Sequence, residues 1–212
     1  MAVRCFLVIL LLLAAACESD APKIELYDGY YYGMSYKDVR ARSLAVECDN
    51  SLDSLCRPTP VPFFKVSWYQ RFNFRSDRLL SIDLISLDPK TTSPLINGWL
   101  DSGYRFVPVL MTSGGKQLDI YAAMVREGKE GARRAVHAFL RSTAQDLENT
   151  YLYIDFQDHE EQLKGLHSYQ AILNYAPRDI LGVEQTVNDT ECILTFRAPI
   201  AEWQDKGAPK AK

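Results

Sequence analysis

The stretch VSWYQRFNFRSDRLLSIDLI at residues 66–85 constrains this chain more than any other. Val66, Trp68, Phe72 and Phe74 fall on one face of an extended segment, with Lys65, Ser67, Arg71 and Asn73 on the other, because side chains alternate along a strand. Arg75-Ser76-Asp77 turns the chain, and Leu80, Ile82 and Leu84 resume the alternation. Two such strands make an antiparallel hairpin whose apolar face must be buried against a second layer.

The flanking segments supply candidates for that layer. In GMSYKDV, Ser35 is an N-cap with Asp38 three residues on, and Val39, Ser43 and Val46 recur at helical spacing, so a helix is expected from Tyr36 to Glu47. RPTPVP at residues 57–62 excludes helix and central strand. SGYRFVPVLMTS, the turn GG and KQLDIYAAMV read as a second hairpin, Pro108 marking an edge or bulged strand.

From Lys129 to Leu147 the period changes to that of an amphipathic helix, with Ala132, Ala135, Val136, Phe139, Leu140 and Leu147 inward and Arg133, Arg134 and Arg141 outward. TYLYIDF and SYQAILNY read as strands separated by a short helix in QDHEEQLKGLH. ILGVEQTV, the turn ND and TECILTFRA form a third hairpin. The order is helix then four strands, twice, without a residue-level repeat. The expected class is α+β: antiparallel sheet with helices on one face, built as units 17–127 and 128–212 or as one continuous domain.

The first residues have a different purpose. Arg4 precedes an apolar run from Phe6 to Leu13, followed by Ala14-Ala15-Ala16 and Cys17. A basic start, a short apolar segment and small residues make residues 1–16 a secretory signal, since a bilayer span needs about 20 apolar residues. The arrangement resembles a bacterial lipoprotein signal, which implies that Cys17 becomes the lipidated N-terminus and anchors the protein in a membrane. Glu18 after the cysteine implies the outer membrane in that family. Ala14 stands where the commonest form has Leu, so cleavage at Ala14-Ala15-Ala16 and a periplasmic or secreted protein is the alternative.

Composition narrows the partners. The formal net charge is −3, and losing Arg4 with the signal makes the remainder more negative. An acidic balance argues against a nucleic-acid surface. Among the five cysteines, Cys48 and Cys56 bracket the polar CDNSLDSLC and are expected to pair in an oxidising compartment. Cys192 alternates with apolar residues and reads as a buried thiol. Without lipid on Cys17, four cysteines would allow two disulfides of undetermined connectivity.

Gly33, Met34, Ser35 and Val39, followed by Trp68, Tyr69, Phe72, Phe74, Leu80 and Ile82, carry a second resemblance. Residues 30–87 resemble the β-lactamase-inhibitor-protein-like fold of bacterial outer-membrane assembly lipoproteins and secreted inhibitors. The small-residue turn usual after that helix is replaced here by the long Cys48–Pro62 connection. Fold analogy alone confers no function.

Residues suited to catalysis form no motif. HEEQLKGLH is not H-E-x-x-H, so Asp155, Asp158, His159, Glu160, Glu161 and His167 read as a solvated acidic turn rather than metal ligands. There is no G-x-S-x-G elbow beside His137, His159 or His167, and no phosphate or dinucleotide fingerprint. Asp83 with Asp119, and Cys192 with a histidine, read as structural. GKEG at residues 128–131 reads as a strand-to-helix turn, and the sequon Asn188-Asp189-Thr190 as a hairpin turn.

YDGYYYGM remains, with Tyr30, Tyr31 and Tyr32 just beyond the tether. Tyrosine combines apolar area with a polar tip and suits protein or glycan contacts. These three and Arg71 are the candidate partner contacts. The leading expectation is a non-enzymatic cell-envelope lipoprotein binding a protein or cell-wall component, with no cofactor or metal. A periplasmic or secreted hydrolase and a secreted protein inhibitor are the alternatives.

Overall fold

The computed structural model describes residues 23–49, 51–101, 105–143 and 148–207, so the signal segment, Cys17 and Leu147 lie outside the described residues. The fold is α+β, built on one large antiparallel sheet. The expected hairpin forms its first half: β6 (Val66–Arg75) pairs with β7 (Arg78–Ser86). Trp68, Phe72 and Phe74 are buried as the alternation requires. One detail differs. The register shifts after Asn73, so Leu80 is extra, Leu79 faces the core at 0% exposure and Leu80 is left half-buried. A bulge inverts the side-chain phase within one strand.

Before the hairpin, β1 (Glu25–Tyr27) and β2 (Tyr30–Tyr31) form a small separate sheet, followed by α1 (Tyr36–Ser43). Ser35 caps the helix by accepting from the Asp38 N–H at 3.1 Å. Gly33 and Met34 pair back to Leu79, which docks the helix start against β7. The helix ends at Ser43 rather than Glu47 because Leu44 takes a left-handed C-cap conformation, φ 55°. Val46 and Glu47 instead form β3 (Val46–Glu47), paired with β4 (Ser54–Cys56) and stapled by the Cys48–Cys56 disulfide. In β5 (Val61–Phe63), Pro62 sits on a short strand that continues β4 along the outer side of β6.

Two helices were not foreseen: α2 (Pro89–Asp101) after the hairpin, and α6 (Pro199–Asp205) near the end of the described chain. Two expected strands are corrected to helix. After β8 (Phe106–Ser113) and β9 (Lys116–Asp119), the residues IYAAMV begin α3 (Ile120–Ser142), because Asp119 caps the Ala122 N–H at 2.8 Å. Likewise SYQAILNY is α5 (Tyr169–Tyr175), capped by Ser168 and burying Ile172 and Leu173 on one face. In both cases a side-chain cap and a 3–4 apolar spacing outweighed apparent alternation. The expected strand β10 (Asn149–Asp155), short helix α4 (Glu160–Leu163) and hairpin of β11 (Gly182–Val187) with β12 (Cys192–Arg197) are present.

The strand order is β3-β4-β6-β7-β12-β11-β10-β8-β9, with β5 beside β6. One sheet therefore runs through both halves, joined where Leu84 of β7 meets Leu194 of β12. The register sorts its side chains into two faces. Trp68, Phe72, Leu84, Leu194, Phe196, Val183 and Tyr153 point to the first, where Val39 of α1, Ile96 and Leu100 of α2 and the β1–β2 hairpin cover them. Helical cover is not confined to that face. Leu152 and Ile154 point to the other side and pack on Leu163, Ile172 and Ile200 from α4, α5 and α6. The rest of this second face carries Arg71, Asp83, Thr195, Thr186 and Thr150, half-exposed except for the buried Asp83.

Candidate functional site

The site begins with a strand that runs past its neighbour. β9 pairs only with Leu110–Ser113 of β8, and on that side no described strand pairs with Phe106–Val109. The other side of β8 is paired with β10, with an irregularity that leaves Val109 unmatched between Pro108 and Leu110. Pro108 thus lies in a bulged strand beside a free edge, which suits a residue with no N–H to offer.

α3 crosses this edge. Its first half packs Tyr121 with Leu163 and Ile154 on one side of the sheet, and its second half packs Ala132 with Met111 on the other. The bend between them is Gly128, at φ 72° and ψ −179°, which a residue with a Cβ adopts only under strain. Gly131 follows, its Cα held so close to Glu127 that an added Cβ would collide. GKEG is therefore a helix bend, not a strand-to-helix turn.

Under the bend lies a cleft of about 1640 Å³. Arg105, Phe106, Val107 and Pro108 all line it. Successive strand residues point to opposite faces, so a cavity touching all four runs along the edge of β8 itself. Its floor includes Tyr151 and Tyr153, ring centroids 6.4 Å apart, and at its far end Tyr121 stands 5.8 Å from Phe156. Tyr121 and Tyr153 are 8% and 6% exposed. Neither hydroxyl has a hydrogen-bond partner among the described residues, and neither oxygen is a buried unpaired atom, so both open to solvent in the cleft. Burial, with the Asp101 carboxylate beside it, raises the Tyr153 pKa well above the ordinary phenol range, so the hydroxyl stays protonated as a donor.

Lys129, Arg133 and His137 line the α3 wall at intervals of four residues. That spacing stacks them along one helix face over about 12 Å, with Lys129 and Arg133 carrying the positive charge. Across the edge stand Glu160, Glu161 and Lys164 of the α4 region. The cleft thus offers an aromatic floor, hydroxyl donors, a backbone edge that no described strand pairs and a wall carrying Lys129 and Arg133. It can hold an elongated ligand.

The residues singled out in the sequence are dispersed. Tyr30 is corrected as a surface contact: it is 3% exposed, packed on Phe72 at 4.9 Å with the Arg42 guanidinium over its ring. Phe72 and Arg42 cover its ring and leave no face for a partner. Tyr31 is half-buried, and Tyr32 ties its hairpin to α6 by donating to Asp205 Oδ2 at 3.0 Å. Arg71 lies on the second face, its guanidinium 2.7 Å from Asp83, which also accepts from Asn73 and Thr195 at 2.9 Å. None of these lines the cleft.

Asp83 and Asp119 are each consumed locally, Asp119 by capping α3 and accepting from the Tyr169 N–H at 2.9 Å. Cys192 is a buried free thiol whose pKa burial raises. Among the described residues no group of three or more His, Cys, Asp or Glu side chains could hold a metal ion. Sequence reasoning missed the cleft, although TYLYIDF and the 129–133–137 spacing were its visible signals. No family model, curated protein or solved structure matches this chain.

Proposed function

We propose that this chain is a non-enzymatic, lipid-anchored protein of the bacterial cell envelope, on the outer membrane, whose cleft under the α3 bend holds a protein or cell-wall component. The observation that carries the reading is a cleft of about 1640 Å³ lined by Tyr121 and Tyr153, whose solvent-facing hydroxyls have no hydrogen-bond partner among the described residues. Small-molecule pockets commonly span about 300–1,000 Å³, so this volume suits a longer occupant. Two open hydroxyls in an aromatic trough give such an occupant its polar anchors.

A photo-cross-linking residue in place of Val136, which lines the cleft, tests the assignment. Irradiation with envelope extract or isolated cell wall should give an adduct that disappears when Ala132→Trp fills the cleft. A cross-linker at Tyr69, half-exposed at the far end of the sheet, should give none. Absence of the Val136 adduct, or equal labelling at Tyr69, would remove the cleft from the argument. Intact-mass measurement of membrane-extracted protein tests the anchor: a chain starting at Cys17 with acyl groups supports it, and an unmodified terminus moves the protein to the soluble periplasm or medium.

A further inference from the structure

Resting on the reading of the cleft as a binding site, we infer that its occupant is an extended acidic peptide segment of a protein partner, which adds as a short strand to the edge of β8 that no described strand pairs. The sheet itself shows what is missing. At one end, β4 and β5 lie end to end along the outer side of β6, pairing with residues from Asn73 to Val66. At the other, β9 accompanies β8 only over Leu110–Ser113. A peptide over Phe106–Val109 would stand to β9 as β5 stands to β4.

The backbone polarity of that edge follows from one hydrogen bond. The Phe156 N–H donates to Arg105 C=O at 2.7 Å, while Asp155 and Phe106 are direct partners. Antiparallel pairing alternates, so Arg105 and Val107 turn their backbone groups toward β10, and Phe106 and Pro108 turn theirs into the cleft. Phe106 offers an N–H and a carbonyl; Pro108 offers a carbonyl alone. Unpaired strand groups are a template for another chain, and the proline shortens this one to a few residues.

Side chains of an added strand would alternate between the two sides of the sheet edge. One set would face the second half of α3, where Lys129, Arg133 and His137 stand in line. The other would face the largely apolar surface of Tyr121, Phe156 and Leu163, with the Tyr121 hydroxyl as a polar anchor and Glu160, Glu161 and Lys164 also lining the cleft. Acidic residues alternating with apolar ones satisfy both sides. Arg133 is 74% exposed and its pairing with Glu130 at 3.2 Å lies on the surface, so an incoming carboxylate can compete for it.

Fluorescence anisotropy with a labelled synthetic peptide alternating Glu and Val tests this on the folded protein. That peptide should bind. A version with Lys for Glu, and one with alternate backbone nitrogens methylated, should each bind at least about tenfold more weakly. Arg133→Glu should weaken the Glu–Val peptide similarly while leaving the melting temperature unchanged. Equal binding of the methylated peptide would overturn strand addition, and equal or better binding of the Lys peptide would overturn the acidic preference. If no peptide binds while the Val136 adduct persists, the inference falls and the cleft reading stands; if the adduct fails too, both fall.

Discussion

Glu127 and Gly131 face each other across the bend of α3 so closely that a Cβ on residue 131 would overlap the Cβ of Glu127. The atom in the way belongs to a side-chain root that cannot swing aside. Gly131→Ala should therefore cost about 1–3 kcal/mol, in the range of overpacked cores. Gly98→Ala is the control: Gly98 lies within α2 with open space around it, so an added methyl should be neutral or mildly stabilising. Chemical denaturation of the two variants separates collision from helix propensity. Equal effects would show that the bend is not held by this contact.

Trp68 tests the assignment of the sheet's faces. It is 1% exposed and its indole N–H donates to the Phe63 carbonyl at 3.0 Å. Trp68→Ala should cost about 3–5 kcal/mol through lost burial, a cavity and an orphaned carbonyl. A denaturation midpoint matching the parent would reverse the two faces.

Asp83 is 4% exposed and receives Arg71, Asn73 and Thr195 together. Arg71→Met leaves its carboxylate with neutral donors only and should destabilise by about 1–3 kcal/mol. Because the Arg71 side chain is 39% exposed, water screens the pair and the larger cost of a fully buried pair is not expected. Adding Asp83→Asn to Arg71→Met should recover part of the loss. A double-mutant cycle measures it, and strict additivity would mean the pair is not coupled.

Asp205 links α6 to the β1–β2 hairpin, accepting from Arg178 at 2.7 and 3.0 Å and from the Tyr32 hydroxyl at 3.0 Å. The Arg178 hydrogen bonds hold its carboxyl below the ordinary carboxylate pKa. A pKa depressed in the folded state adds stability above the ordinary value of about 3.9 and loses it as pH falls through the folded value. The stability difference between parent and Asp205→Asn should thus shrink between about pH 5 and pH 2. The Asp205 carboxylate is 45% exposed, so the difference should be small and fall further in high salt. A gap that widened on acidification would contradict the sign.

The Cys48–Cys56 disulfide closes a separation of eight residues between β3 and β4. Replacing both with serine should cost about 2–3 kcal/mol on the loop-entropy account. In the native protein Cys192, buried at 0% exposure, should resist a thiol reagent and react after denaturation. Rapid native labelling of Cys192 would contradict its place in the core.

Elements whose information is local are legible in the chain directly. Alternation in residues 66–85 dictated the central hairpin, Ser35 with Asp38 the start of α1, and the spacing of Cys48 and Cys56 the staple. Tertiary structure decided where local signals competed or were silent. Ile120–Val125 and Tyr169–Tyr175 show an alternation that Asp119 and Ser168 override by capping, and Leu80 is displaced by a bulge that only the pairing of β6 with β7 reveals. Tyr30 looked like a surface tyrosine, and the hairpin that carries it folds down onto Phe72. The cleft depended on tertiary structure most of all. Tyr153, Tyr121 and Arg133 come together because β9 stops at Asp119 and α3 bends at Gly128 to straddle an edge that no described strand pairs. Each residue type was visible in the chain, but a strand edge exists only relative to the neighbour that does not cover it.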